Sequence, residues 1–245
     1  MDIESKYHEL ASDWGELRVY AAWPRLDGPV PVVLMYMDAF GPRPELFSIA
    51  RQYASEGFGV LLPNLFGRLG SPVFPPPNQE MDQVSPGAVE ANDKTTLADG
   101  LNDTKLLVEA CDGGAFGFAA EFYTAIGYCM GGRFALSGVV DHPSITAGAS
   151  AHGGRLVTSN HDSPHLLIER LEKPFRFYFA KDDVTCPEEH QSFIEDLCQR
   201  SPADVSCHRM SAHHGWSFPD RWCFDAEASS TVFRETVSLF REAGP

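Results

Sequence analysis

The sequence predicts a single α/β domain with a mostly parallel, doubly wound sheet flanked by helices, and three observations lead there. Uninterrupted apolar runs of strand length recur, such as Val30 to Tyr36 and Phe58 to Leu62. Runs of that kind mark strands covered on both faces. Between them lie segments whose apolar residues repeat at helical spacing. The chain of 245 residues, 43% hydrophobic and 22% charged, can bury one large core and shows neither an internal repeat nor a linker. One domain is therefore expected over 1–245.

In chain order, Glu16 to Trp23 alternates like a half-exposed strand, and Val30 to Tyr36 is the first fully apolar one. Leu46, Ile49, Ala50 and Tyr53 repeat at helical spacing until Gly57. Phe58 to Leu62 is the next strand, stopped by Pro63. From Leu69 to about Val89 the chain is rich in Pro, Gly and polar residues, and a loop that long is expected to border a site. Leu97, Leu101, Leu106, Leu107 and Ala110 mark a helix closed by Gly113 and Gly114. Phe122 to Tyr128 is a strand, and Met130 to Val140 a helix entered through a glycine-rich turn. Ile145 to Ala151 and Phe175 to Ala180 are short strands. Pro187 opens a helix to about Arg200. Val205 to Met210 is the last strand, and Asp225 to Arg241 the last helix.

Charge removes some partners. Lys and Arg number 19 against 34 Asp and Glu, a formal net charge of −15. Such a surface repels nucleic acid and anionic membranes, so neither is an expected partner. Met1 to Trp14 is polar, with no secretory pattern, and the apolar runs are too short to span a bilayer. The six cysteines lack any CxxC pair, so reduced thiols in a cytoplasm are expected. Cys207, His208, His213, His214 and Cys223 fit no standard zinc spacing, and neither metal nor cofactor is expected.

The sharpest local signal is Gly127-Tyr128-Cys129-Met130-Gly131-Gly132, placed between a strand and a helix. It is a nucleophile-elbow pattern with Cys in place of Ser. Glycines on either side relieve crowding in a strained turn, and the helix N-terminus favours a thiolate. An acid and then a histidine must follow, each after a later strand. Lys181-Asp182-Asp183 follows one, and Ser211-Ala212-His213-His214 the other. Position alone leaves open which Asp and which His take part.

The chain from about Val30 onwards resembles the dienelactone hydrolase family of α/β hydrolases. Asp38-Ala39-Phe40-Gly41 is similar to the family's acidic-residue-x-Phe-Gly turn, and Leu65-Phe66-Gly67-Arg68 to its loop after the next strand. Gly127 to Gly132 matches its elbow, and Asp183 precedes Pro187 at the family spacing. His214-Gly215-Trp216 resembles its His-Gly-Phe turn, and Arg221, Phe224, Asp225 and Ala228 the approach to its last helix. The chain departs from the family at Asp38, where Glu is usual, at Asn64 and at His152, where an aromatic is frequent.

The resemblance implies a triad of Cys129, Asp183 and His214, with an oxyanion hole at the amides of Ala39 and Met130. It implies a small lactone or ester as substrate, opened or cleaved through an acyl-enzyme. Arg68 and Arg221 are carried near the site, where they are expected to form a positive well for a substrate carboxylate. His152 and Trp216 are expected to line the pocket, and Asp38 to gate the thiol. A monomer or small homo-oligomer is expected. Two other readings use the same residues. One is a non-catalytic, redox-responsive protein with Cys129 as sensor and Cys186 as its partner thiol. The other is a thioesterase or peptidase on the same triad.

Overall fold

The computed structural model describes residues 2–79 and 83–244. Its strands are β1 (Ile3–Ser12), β2 (Gly15–Pro24), β3 (Val30–Tyr36), β4 (Gly59–Pro63), β5 (Ala120–Tyr128), β6 (Ile145–Ala151), β7 (Phe175–Lys181) and β8 (Val205–His213). They form one eight-stranded sheet in the order β1-β2-β4-β3-β5-β6-β7-β8. β1 pairs antiparallel with β2 and β2 with β4, and every other pair is parallel. The helices are α1 (Pro44–Ser55), α2 (Pro86–Lys94), α3 (Leu97–Asp112), α4 (Gly131–Asp141), α5 (Glu188–Arg200) and α6 (Ala226–Glu242).

The connections place the site. From β3 the chain crosses by α1 to β4 on one side, and from β5 by α4 to β6 on the other. Right-handed crossovers in opposite directions put α1 and α4 on opposite faces and open a crevice between the C-terminal ends of β3 and β5. Buried tyrosines tie these elements to one another. The Tyr53 hydroxyl lies 2.6 Å from Thr236 Oγ1, joining α1 to α6, and the Tyr36 hydroxyl 2.6 Å from Thr104 Oγ1, joining β3 to α3. Val32, Val33, Leu34, Ala125, Ile126 and Ala149 are fully buried between the layers.

The structure adds elements to the sequence expectation. The polar stretch after the start is a full edge strand, β1, paired residue for residue with β2. Its charges at Glu4, Lys6 and Glu9 lie on exposed or half-buried positions, as edge strands require, and they mask the alternation. The loop expected over Leu69–Val89 ends earlier, because Ser85 caps α2 through Ala88 N–H (3.3 Å) with Pro86 as its first residue. Residues 80–82 of that loop lie outside the described residues. Its first part does border the crevice: Phe74 N–H donates to the Phe40 carbonyl at 2.8 Å. β8 runs three residues past Met210, carrying His213 inside the strand.

Candidate active site

Asp38, Cys129, His152, Asp183 and His214 each lie one or two residues beyond the C-terminal end of a parallel strand, so the sheet gathers them along one edge. Cys129 sits in the left-handed region at φ 53, which a non-glycine residue adopts only when its surroundings impose it. The surroundings are close backbone. A Cβ on Gly127 would collide with the Gly131 carbonyl, and one on Gly131 with the Tyr36 carbonyl. The elbow therefore closes only with glycine at these positions. Cys129 N–H donates to the Ala151 carbonyl at 3.0 Å, and its own carbonyl accepts from Gly132 and Gly154, each at 3.1 Å.

Behind the elbow, His214 Nδ1 stands 2.7 Å from Asp183 Oδ2. Asp183 is buried, and its Oδ1 accepts from Thr185 N (2.8 Å), Thr185 Oγ1 (2.7 Å) and Cys186 N (3.3 Å). Burial pushes its pKa up, but the His214 contact and the Thr185 donors outweigh this and hold the carboxyl below its ordinary value. The structure thus joins Asp183 with His214. Asp182 is exposed and faces Lys181 at 3.8 Å, and His213 lies against Trp222 at 5.5 Å between ring centroids.

Cys129 and His214 act on each other. Burial raises the Cys129 pKa and Asp38 adds to that, but the His214 charge and hydrogen bond, helped by Arg221, bring it below its ordinary value. Burial lowers His214, yet the Cys129 thiolate and Asp183 together push it up to about 10. Each group favours the charged form of the other, thiolate and imidazolium, and their protons belong to the pair rather than to either residue. Among the described residues neither Ala39 N–H nor Met130 N–H donates to a backbone acceptor.

Other expected residues stand differently. Arg68 does not form a free positive well with Arg221. Its Nη1 lies 2.9 Å from Asp103, its Nε 3.1 Å from Asp99, and its guanidinium stacks 4.3 Å from the Trp14 ring centroid, so both carboxylates neutralise it. Arg221 is buried beside Phe40 (5.0 Å), and its Nε and Nη1 have no hydrogen-bond partner among the described residues. His152 and Trp216, expected to line the pocket, are both 0% exposed and cannot touch a ligand in this conformation. His152 packs edge-on against His214 (5.2 Å) and Trp216 (4.7 Å), with Nε2 3.0 Å from Ser217 Oγ. Burial, with His214, Arg221 and Arg43 as positive neighbours, drives its pKa well below the usual value, so the ring is neutral. Asp38 is fully buried and accepts on Oδ1 from Phe40 N (3.1 Å) and Arg43 Nη1 (2.7 Å). No three His, Cys, Asp or Glu side chains among the described residues are grouped to hold a metal ion.

A family model described as the dienelactone hydrolase family matches residues 17–244. This chain belongs to the dienelactone hydrolase family. It is accordingly a hydrolase acting on esters or lactones. It is 26% identical to a carboxymethylenebutenolidase of Pseudomonas sp. strain P51, over 89% of this chain and 87% of that protein. A dienelactone hydrolase candidate from Klebsiella pneumoniae superposes with TM-score 0.85 at 19% identity, over 99% of this chain and 100% of that one. A dienelactone hydrolase-like promiscuous phosphotriesterase from metagenomic libraries superposes with TM-score 0.79 at 19% identity, over 100% of both chains. These two structural likenesses speak for the fold.

Within this family member, Arg43, Thr185, Ser217 and Asp220 are site groups that the sequence left unmarked. Arg43 and Asp220 are far apart in the chain, and only the fold brings them to 2.6 Å. Thr185 had a signal: a Thr two residues after an Asp forms a turn that ties down the carboxylate.

Proposed function

We propose that this protein is a cysteine-nucleophile hydrolase of small lactones or esters that carry a carboxylate. The observation that carries the reading is the 2.7 Å contact of His214 with Asp183 beside a strained Cys129 whose thiol His214 holds below its ordinary pKa. The Cys129 thiolate attacks the carbonyl carbon, and the carbonyl electron pair moves to oxygen. The amides of Ala39 and Met130 receive that oxyanion, since among the described residues neither N–H is committed to a backbone acceptor. Collapse forms the thioester and breaks the C–O bond, with the His214 imidazolium protonating the leaving oxygen. In a lactone that oxygen stays tethered, so the ring opens. Neutral His214 then takes a proton from water, which attacks the thioester and releases the acid and the thiolate.

Arg221 supports the carboxylate. A buried guanidinium with two nitrogens unpaired among the described residues is costly unless an anion meets it, and a substrate carboxylate supplies that anion once the side chains that cover Arg221 move aside. The thiol-sensor reading is weaker. Burial, then the Asp183 charge, pushes the Cys186 thiol up to about 12, so it offers no ready resolving thiolate.

A panel of esters and lactones assayed with wild type and Cys129→Ala tests the reading. Turnover is expected for wild type only, and the free acid is expected to be a better substrate than its methyl ester. Activity that persists in Cys129→Ala overturns the nucleophile, and equal kcat/KM for acid and methyl ester overturns the carboxylate.

A further inference from the structure

Arg43 has no part in the triad, yet it is among the most buried charges beside it. It sits at the N-cap of α1, directly before Pro44, with its side chain 6% exposed. Its guanidinium lies over the Phe218 ring at 4.6 Å and near Phe40 at 5.8 Å. Nη1 donates to Asp38 Oδ1 at 2.7 Å, Nε to Asp220 Oδ2 at 2.6 Å, and Glu45 stands 3.8 Å away. Asp38 is therefore held from both sides, by Arg43 and by the Phe40 amide, and both donors meet the same oxygen. Its other oxygen, Oδ2, is buried without a partner. Among the described residues no hydrogen bond joins Asp38 to Cys129 or to Arg221. That is the notable feature of this crevice: a buried carboxylate and a buried guanidinium share Phe40 as neighbour and remain unpaired.

We propose that Arg43 is a positioning residue that clamps Asp38 and offsets its charge, weakening this carboxylate's opposition to the Cys129 thiolate and keeping it from pairing with Arg221, which stays free for the substrate's anion. The part concerning substrate rests on the hydrolase reading above, whereas the part concerning the thiol does not. Without the clamp, the Asp38 charge would bear on the thiolate in full, through a buried and weakly screened medium. The charged groups that face Cys129 are His214, Asp38 and Arg221, with Asp183 behind His214. Those facing Arg43 are Asp38, Asp220 and Glu45. Neutral His152 packs beside His214. Of these, Asp38 alone both touches Arg43 and acts by its charge on the thiol, which makes it the carrier of the effect. Aspartate suits the arrangement, because a carboxylate one methylene shorter than glutamate reaches about 1.5 Å less far toward the thiol while still meeting the Phe40 amide.

The test is a double-mutant cycle on Arg43→Met and Asp38→Asn, read by the pH dependence of Cys129 alkylation with iodoacetamide and site assignment by mass spectrometry. Arg43→Met is expected to move the alkylation midpoint up by about one pH unit, equivalent to ~10-fold slower reaction on the acid limb. Asp38→Asn alone is expected to lower it by only a few tenths of a unit (~0.3), because the clamp already offsets most of that charge. The double variant is expected to return to within a few tenths of a unit of wild type (~0.3), a recovery that loss of packing does not produce. If Arg43→Met fails to fold, Asp38→Asn decides alone: a fall of about one unit means that Asp38 acts on the thiolate unclamped, and the proposal fails. A midpoint unchanged in Arg43→Met, or equally raised in the single and double variants, also overturns it. Alkylation needs no substrate, so failure of the clamp and failure of the hydrolase reading are seen separately.

Discussion

Cys129 and His214 share a proton on terms set by their neighbours, and the pH behaviour of the site follows. The thiol is held below its ordinary value and the imidazole is raised to about 10, so the ion pair between them is favoured. On the acid side it is lost when the thiolate takes up a proton, and on the basic side when His214 gives one up near that value. His214 owes much of its displacement to the thiolate. In Cys129→Ala its pKa, followed by NMR titration of the ring protons, is expected to fall by about one unit or more, with Asp183 as the remaining stabiliser. An unchanged titration would mean that Asp183 alone sets it. Arg221 makes a second prediction at this scale. Charge-assisted hydrogen bonds contribute about 1.5–3 kcal/mol, so Arg221→Met is expected to lower kcat/KM by roughly 10- to 100-fold for a carboxylate-bearing substrate. For its methyl ester the change is expected to be small, and an equal loss for both would assign Arg221 to structure.

At the scale of elements, the elbow depends on how closely α4 approaches β3. Gly131→Ala drives a methyl group into the Tyr36 carbonyl, where neither backbone yields. The expected cost is about 3 kcal/mol or more, seen in chemical denaturation together with loss of Cys129 alkylation. The cap of α2 is a milder case. Ser85→Ala removes the acceptor for Ala88 N–H and is expected to cost about 1 kcal/mol while leaving turnover unchanged. The same elements show what was legible in the sequence. β3 and β6 could be read to the residue, because turn residues bound each of them on both sides. β1 was missed since an edge strand hides its alternation under charges, and α2 since its Ser-Pro start lies within a proline-rich stretch. Asp183 and His214 could be placed by motif. Arg68 could not, because its pairing with Asp99 and Asp103 depends on how α3 packs, which no local pattern records. Burial decided His152 and Trp216 in the same way: strand ends are visible in a sequence, but the side that later loops cover is not.

The whole molecule carries a formal charge of −15, and its field opposes an approaching anion. Arg221 is buried and therefore attracts at short range, where salt screens little. For a carboxylate-bearing substrate, kcat/KM is thus expected to rise with ionic strength between roughly 0.01 and 0.15 M, over which the screening length shrinks from about 30 to 8 Å. A neutral ester is expected to show no such rise, and a fall for the acid would place its carboxylate against exposed cations instead. The central chemistry proposed for the molecule is the thioester at Cys129. Rapid-quench mass spectrometry with a p-nitrophenyl ester of a small acid tests it most directly. The expected result is one acyl group on the peptide containing Cys129, formed in the burst of nitrophenol release and absent in Cys129→Ala. Full turnover by Cys129→Ala, with no acyl group on the wild-type thiol, would contradict it.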